Sequence, residues 1–204
     1  MNKKEIRAFN FEVRAENTDR GNTLTGRPIV YNERTDLGWY DEIVDMGALR
    51  ETDLRDVRFL VNHNTDMIPL ARSRNNNANS TMQMIVDDQG MTIRVDLDTE
   101  NNMDARSLYS AVERGDISGM SFMFIVDEDS WEDIDSEHPT RHIRSISRVF
   151  EVSAVTFPAY EATSIQARGL AEALESAKAS LESAKSEQRK IERQKARIRI
   201  LAER

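Results

Sequence analysis

The stretch Gly115-Asp116-Ile117-Ser118-Gly119-Met120-Ser121-Phe122-Met123-Phe124 marks the change from a helix to an apolar strand. Gly115 follows a segment with helical spacing, and glycine is favoured directly after the last turn of a helix. The run from Gly119 onwards is apolar except for one hydroxyl, Ser121. A serine displayed by a strand, with a small residue two positions earlier, is a place where a nucleophile can sit. Because most strand serines are structural, the stretch predicts a strand and a candidate site, nothing more.

The composition indicates a folded protein without thiol chemistry. The chain has 204 residues, of which 39% are hydrophobic and 31% charged, and it contains no cysteine. Disulfides and cysteine nucleophiles are therefore excluded. With only three histidines, we expect no metal site and no cofactor. No apolar run approaches the ~20 residues of a membrane span, and the first residues lack a secretory apolar segment, so we expect an intracellular protein with no membrane partner.

The charge is distributed unevenly. The net charge is −8, yet residues 168–204 contain ten Lys/Arg against six Asp/Glu, so the rest of the chain is strongly acidic. An acidic body does not suit a phosphate backbone, and we expect no nucleic-acid partner. The basic end predicts a solvated helix face or, alternatively, contact with an acidic partner.

Alternating apolar residues predict a body dominated by strands. These segments are Ile6–Arg14, Leu24–Tyr31, Trp39–Val44, Arg58–His63, Met82–Val86, Met91–Leu97, the strand around Ser121, Arg141–Ser147 and Val149–Phe157. A turn at Asp87–Gly90 predicts a hairpin. Helices are predicted over Asp104–Arg114 and after Asp45, where a short one ends near Leu54. The segment Asp127–Glu137 is rich in acidic residues and is predicted to be a solvated loop.

The composition changes at about Arg168. Leucine, alanine and isoleucine then recur every three or four residues, and no proline or glycine occurs after Gly169. This pattern predicts a long helix with a weak heptad seam. We therefore divide the chain into a body, residues 1–167, and a helical, scaffold-like tail, residues 168–204.

Few residues can support a serine nucleophile. Such a serine needs a neutral imidazole in hydrogen-bond reach and a third group that fixes the tautomer of the imidazole. His63, at the end of an apolar strand, is the best-placed histidine. Glu151 lies in a later apolar strand, where a carboxylate is costly unless it is paired or faces water. On pattern alone, an outward position or a salt bridge to Arg144 or Arg148 is the favoured interpretation of Glu151.

Five segments, in this order, resemble the prohead (capsid maturation) serine proteases of tailed phages, the HK97-type family. They are Gly26–Tyr31, Glu42–Ala48, Leu60–His63, Gly115–Phe122 and Phe150–Ala159. That family is similar to the herpesvirus assemblins. The resemblance therefore implies a β-rich α+β fold, a closed β-barrel surrounded by a few helices, followed here by the long C-terminal helix.

The resemblance also implies a site and a function. It makes His63 the general base, Ser121 the nucleophile and Glu151 the third member of a triad, with His142 as the alternative because assemblins use a second histidine. The implied activity is a serine endopeptidase of phage prohead maturation. Its implied partners are the major capsid protein, whose scaffolding region it cleaves, and the protease itself, through autoprocessing and a possible homodimer. It would act inside the immature capsid in the host cytoplasm.

Two alternatives remain open from the sequence. The first is a catalytically inactive internal scaffold of the phage capsid, which Met123 favours because many relatives have a small residue at that position. The second is a coiled-coil adaptor with a β-domain head, which rests on the heptads of the tail.

Overall fold

The computed structural model describes residues 4–9, 13–18, 21–156 and 164–202. Within these ranges the chain forms eleven strands and two α-helices. The strands are β1 (Lys4–Phe9), β2 (Val13–Thr18), β3 (Gly21–Val30), β4 (Arg34–Asp36), β5 (Asp41–Val44), β6 (Asp56–Val61), β7 (Ala71–Arg74), β8 (Met82–Val86), β9 (Gly90–Asp96), β10 (Gly119–Glu132) and β11 (Thr140–Val155). The helices are α1 (Met103–Glu113) and α2 (Ser164–Ala202).

The strands form two sheets. The larger has the order β1-β10-β11-β5-β4, with β6 paired to the later part of β11 and β7 paired to β6; the smaller has the order β2-β3-β9-β8. Strand β11 runs parallel to β5 and β6. The segment Ile6–Arg14, predicted as one strand, contributes to both sheets, β1 to the larger and β2 to the smaller; residues 10–12 lie outside the described ranges.

The β-rich prediction is confirmed, whereas the prediction of a closed barrel is wrong. Neither sheet closes on itself in the described part of the chain: the larger ends at β1, β4 and β7, and the smaller at β2 and β8. Strand β1 pairs with β10 on one side, and it also packs against α2 rather than against a further strand. The two sheets enclose one hydrophobic core, to which Leu24, Ile29 and Met91 contribute from one side and Phe59 and Val152 from the other.

The two longest strands, β10 and β11, span 14 and 16 residues and form an antiparallel pair. Two predictions are wrong here. The segments predicted as separate strands after Arg141 are the single strand β11, and the acidic residues up to Glu132 continue β10 instead of forming a loop. This part of the chain continues the strand because its side chains have partners. Asp129 Oδ2 accepts a hydrogen bond from Arg141 Nε at 2.7 Å, and Trp131 stacks on Trp39.

The helix predicted after Asp45 is replaced by consecutive turns. Ala48 N–H donates to Asp45 O at 3.0 Å and Arg50 N–H to Gly47 O at 2.9 Å. The φ of +87° at Gly47 cannot belong to a right-handed helix. Helix α1 is confirmed: Asn102 caps it, accepting from Asp104 N–H at 2.9 Å, and Gly115 (φ +78°) follows its end. The hairpin β8–β9 is also confirmed.

A buried ion network lies where β1, β5, β10 and β11 meet. Arg7 binds the Glu42 carboxylate through Nε and Nη2, and the distance from Nη2 to Glu42 Oε2 is 2.6 Å. The same Nη2 donates to Glu5 Oε2, also at 2.6 Å. Arg141 donates to Glu5 Oε2 at 2.9 Å and to Glu42 Oε2 at 3.2 Å. Side chains of both arginines and both glutamates are at most 2% exposed. Such charges are tolerated in a core only when each is paired.

The pairing shifts the pKa values of the network. Burial alone would raise the pKa of Glu5, but the guanidinium groups of Arg7 and Arg141 outweigh it and hold that pKa below its usual value of 4.5. Burial raises the pKa of the Tyr40 phenol, which is within 3.5 Å of Arg7, to about 12. At neutral pH the carboxylate of Glu5 is therefore ionised and the phenol of Tyr40 is not.

Helix α2 is attached to this network along one face. Ser176 Oγ donates to Glu5 Oε1 at 3.0 Å, and Ser180 Oγ lies 2.8 Å from Asp129 Oδ2. Ala173, Ala177 and Leu181, at a spacing of four residues, are buried on the same side. From residue 186 to 199 every side chain is exposed. The first part of the tail is thus packed on the body, and only its later part projects; the division at residue 167 stays a prediction.

No helix among the described residues is both long enough and apolar enough to span a membrane.

Candidate active site

Ser121 lies near the start of β10, between β1 and β11. Its Cα partner in β11 is Ser153, and its partner in β1 is Ala8. The side chain is fully buried, and its hydroxyl donates to the backbone carbonyl of Arg7 at 2.7 Å. A hydroxyl has one proton to donate, so this contact commits the proton of Ser121 to strand β1.

His63 follows β6 in a tight turn with an uncommon backbone. Asn62 and His63 have φ values of +52° and +57°, and the turn closes through Asn64 N–H to Val61 O at 3.0 Å. A non-glycine residue in this left-handed region costs roughly 1 kcal/mol or more, and such residues concentrate at functional sites. The turn is held to the end of β11 by the amide of Asn62, which exchanges hydrogen bonds of 3.0 Å with Thr156.

His63 and Glu151 form a buried pair. The imidazole Nδ1 lies 2.6 Å from Glu151 Oε1, and the two side chains are 1% and 3% exposed. Because an ionised carboxylate only accepts hydrogen bonds, the contact assigns the proton to Nδ1. The other ring nitrogen, Nε2, is then the basic one; it is buried and has no hydrogen-bond partner among the described residues. Glu151 is neither outward-facing nor paired with Arg144 or Arg148.

Ser153 completes the surroundings of this pair. Its hydroxyl donates to Glu151 Oε2 at 2.5 Å and accepts the backbone N–H of His63 at 3.1 Å. Ser153 is not among the site residues predicted from the sequence. The signal was present in the alternation of the strand, which puts residues 151 and 153 on one face.

Ser121, Met123, Glu151 and Ser153 share one face of the sheet, but Ser121, His63 and Glu151 do not form a continuous relay of hydrogen bonds. Ser121 is opposite Ser153, and Met123 is opposite Glu151, and opposite residues on adjacent strands project to the same side. Residue 123 is therefore a cross-strand neighbour of the Glu151 carboxylate. The pair His63–Glu151 is formed, whereas the hydroxyl of Ser121 is on Arg7 and not on His63 Nε2. In this conformation the proton transfer from serine to imidazole cannot start until Ser121 leaves the Arg7 carbonyl.

His142, the alternative third member, lies at the other end of β11. Its Nδ1 is 2.8 Å from Asp45 Oδ1, and its Nε2 is 3.5 Å from Glu132 Oε2. Asp45 also binds Arg144, at 2.6 Å. The structure thus joins His63 to Glu151 and places His142 in a separate ion cluster.

One group of described residues has the composition of a metal site. Ligand atoms of Asp36, Asp41 and His138 lie within 4.8 Å of one another. Asp41 is already engaged, by Arg34 at 2.7 Å and by His138 at 3.0 Å, and these partners outweigh partial burial to hold the pKa of its carboxyl below the usual range. A cation there would compete with Arg34 and His138 for the Asp41 carboxylate.

Comparison with protein families decides the class of this protein. The profile of the caudovirus prohead serine proteases matches residues 9–178, a range that contains Ser121, His63 and Glu151. The chain belongs to this family. It is a serine protease, as its place among the prohead proteases implies.

Comparison with individual proteins adds little to the family assignment. A search of solved structures finds similarity to the capsid assembly protease gp21 of bacteriophage T4, with 11% sequence identity, a TM-score of 0.44, and coverage of 77% of this chain and 100% of that one. A search of curated proteins gives no match.

Proposed function

We propose that this prohead protease cuts peptide bonds with Ser121 as nucleophile, His63 as general base and Glu151 as the group that orients His63. The observation that carries the proposal is the buried contact of 2.6 Å between His63 Nδ1 and Glu151 Oε1. It leaves Nε2 as a base without a partner among the described residues. The hydroxyl of Ser121 lies on β10, the strand next to that of Glu151, and Ser121 is on the same face of the sheet as Glu151.

The chemistry is acyl transfer in two steps. Ser121 Oγ attacks the carbonyl carbon of the scissile bond while His63 Nε2 takes its proton, and His63 then gives that proton to the leaving amine. An acyl-enzyme remains on Ser121. Water attacks it with His63 again acting as base, which releases the new carboxylate and returns the proton to Ser121. Glu151 offsets the positive charge that the imidazole carries in between.

The family supports a proposal for the substrates. Members act in the prohead, so the protein substrates at hand are the scaffolding region of the major capsid protein and the protease itself, within the immature capsid in the host cytoplasm. Autoprocessing and a homodimer belong to this proposal. Since the first part of α2 is packed on the body, the portion beyond Leu181 is the part of the tail that is free to bind the assembling shell.

Co-expression with the capsid protein of the same phage tests the proposal. The wild-type chain should shorten the capsid protein, and Ser121→Ala should leave it at full length. Ser147→Ala is the matched control, because Ser147 lies on β11 and its hydroxyl donates to a backbone carbonyl, Ile125 O at 3.3 Å, away from the His63–Glu151 pair. A wild-type chain that leaves both the capsid protein and itself uncut would instead support the inactive internal scaffold.

A further inference from the structure

Ser153 makes its two observed side-chain hydrogen bonds with Glu151 and with the base, His63. The side chain is fully buried, its proton goes to Glu151 Oε2 at 2.5 Å, and its oxygen accepts the His63 N–H at 3.1 Å. We propose that Ser153 is a positioning residue of the protease, which holds the Glu151 carboxylate and the His63 backbone in one geometry. The proposal rests on the function proposed above, in which His63 is the base.

The carboxylate needs a second contact if it is to hold the ring. Rotation about the last bond of a glutamate side chain is soft, and one hydrogen bond leaves that rotation free. Oε1 serves the imidazole, while Oε2 is bound by Ser153. With both oxygens bound, the plane of the carboxylate is fixed and so is the direction of Nδ1–H. Nε2 is thereby kept at one position relative to β10.

The backbone of His63 needs a partner as well. It is buried and lies in the left-handed region at φ +57°, a conformation that persists only if the surroundings hold it. Its N–H points inward, and a buried N–H without a partner costs the desolvation of that group. Ser153 Oγ is that partner. One hydroxyl therefore links the strained turn to the carboxylate that the imidazole binds.

The same contacts separate Ser153 from the nucleophile. Its single proton is donated to Glu151, and its oxygen faces the His63 backbone rather than Nε2. Ser121, by contrast, donates its proton to the backbone carbonyl of Arg7 and not to Glu151. Of the two serines, Ser121 is the one that can turn towards the base without breaking the His63–Glu151 pair.

A fluorophosphonate reagent tests the proposal without a known substrate, because its first-order rate of inactivation reports how strongly the nucleophile is activated. In the full chain, Ser153→Ala should lower this rate about 10- to 100-fold, the loss expected when a base is slightly misplaced, with the reagent concentration at half-saturation unchanged. Ser153→Thr keeps the oxygen and should restore the rate to within about 5-fold. Ser147→Ala, on the same strand, should react like the wild type.

Nitrogen-15 NMR of labelled histidine gives a second readout, which does not depend on activity. The Nδ1–H signal of His63 should be sharp in the wild type and in Ser147→Ala, and exchange-broadened in Ser153→Ala. A wild-type rate with a sharp signal in Ser153→Ala would overturn the proposal. So would a loss as complete as that in Ser121→Ala, which would make Ser153 itself the nucleophile. If the wild type does not react at all, the proposed function fails, and the NMR comparison alone decides the role of Ser153.

Discussion

At the scale of single residues, the site depends on what each polar atom contacts. Glu151 is bound at both oxygens, and His63 is bound at Nδ1 and at its backbone N–H, which leaves Nε2 as the unpaired buried atom. Ser121 is held by Arg7 O. The base is therefore oriented by Glu151, while the hydroxyl of Ser121 is engaged by a backbone carbonyl and must leave it before it can give its proton to His63.

Glu151→Gln tests the role of the third residue. Glutamine keeps the size of the side chain but has no charge and donates as well as accepts, so it can hold the wrong tautomer of His63. We expect the rate of capsid-protein cleavage to fall by about 10²- to 10⁴-fold, with the fold retained. His142→Ala should stay near the wild-type rate, because His142 binds Asp45 instead of His63. The reverse result, an active Glu151→Gln and an inactive His142→Ala, would transfer the role to His142.

Part of the site is visible in the sequence, and part of it appears only in the fold. Ser121 and His63 could be singled out as a lone hydroxyl in an apolar strand and a histidine at a strand end. Their roles and that of Glu151 came from the family resemblance, because the pattern alone favoured an outward or salt-bridged Glu151. The role of Ser153 could not be predicted, because it depends on the rotamer of Glu151 and on the turn at Asn62. Likewise, Glu5 and Arg7 look like exposed charges beside the N-terminus, and only the fold brings Glu42 and Arg141 to them.

At the scale of elements, α2 is both a part of the body and a projection from it. Its serines bind Glu5 and Asp129, and its small residues at every fourth position let the helix lie close to β1 and β10. Heptad spacing alone predicted the helix correctly but could not tell a seam that contacts the body from one that contacts a partner. The acidic end of β10 is a strand for a related reason, since Asp129 has cationic and hydroxyl partners that the sequence does not reveal.

Two truncations separate the halves of α2. A chain that ends after Leu181 should keep a melting temperature within about 2 °C of the full chain, because the residues from 186 to 199 are exposed. A chain that ends at residue 163 loses two hydrogen bonds to charged groups, each contributing about 1.5–3 kcal/mol. Its melting temperature should fall by about 5 °C or more. Equal melting temperatures for the two truncations would mean that the packing of Ser176 and Ser180 contributes nothing to stability.

At the scale of the whole molecule, one core and one ion network join strands from both ends of the chain. The network holds β1, and β1 supplies the carbonyl that binds Ser121. The β-rich class could be predicted from alternation and from the family resemblance. The open arrangement of the sheets could not be predicted, because it depends on which element covers β1. That element is α2, which is distant from β1 in the sequence.

The network makes stability depend on pH. The folded-state pKa of Glu5 is below its usual 4.5, so the unfolded chain takes up the proton first as the pH falls. The stability from Glu5 is complete above that value and is lost as the pH falls below it, towards the folded-state pKa. We expect the urea midpoint to drop steeply below about pH 4.5. Glu5→Gln should lower stability by about 3 kcal/mol at pH 7 and flatten the acid dependence. Glu132→Gln, at a side chain that is 61% exposed, should keep the wild-type profile; an equally steep profile in Glu5→Gln would contradict the role of the network.

The central claim is that Ser121 is the nucleophile and His63 its base, and covalent labelling tests it most directly. The full chain is treated with a fluorophosphonate, and the modified residue is located by peptide mass spectrometry. We predict a single adduct on Ser121, absent in Ser121→Ala and formed at least about 100-fold more slowly in His63→Ala. An adduct on another serine, or labelling of Ser121 that is as fast in His63→Ala as in the wild type, would contradict the account.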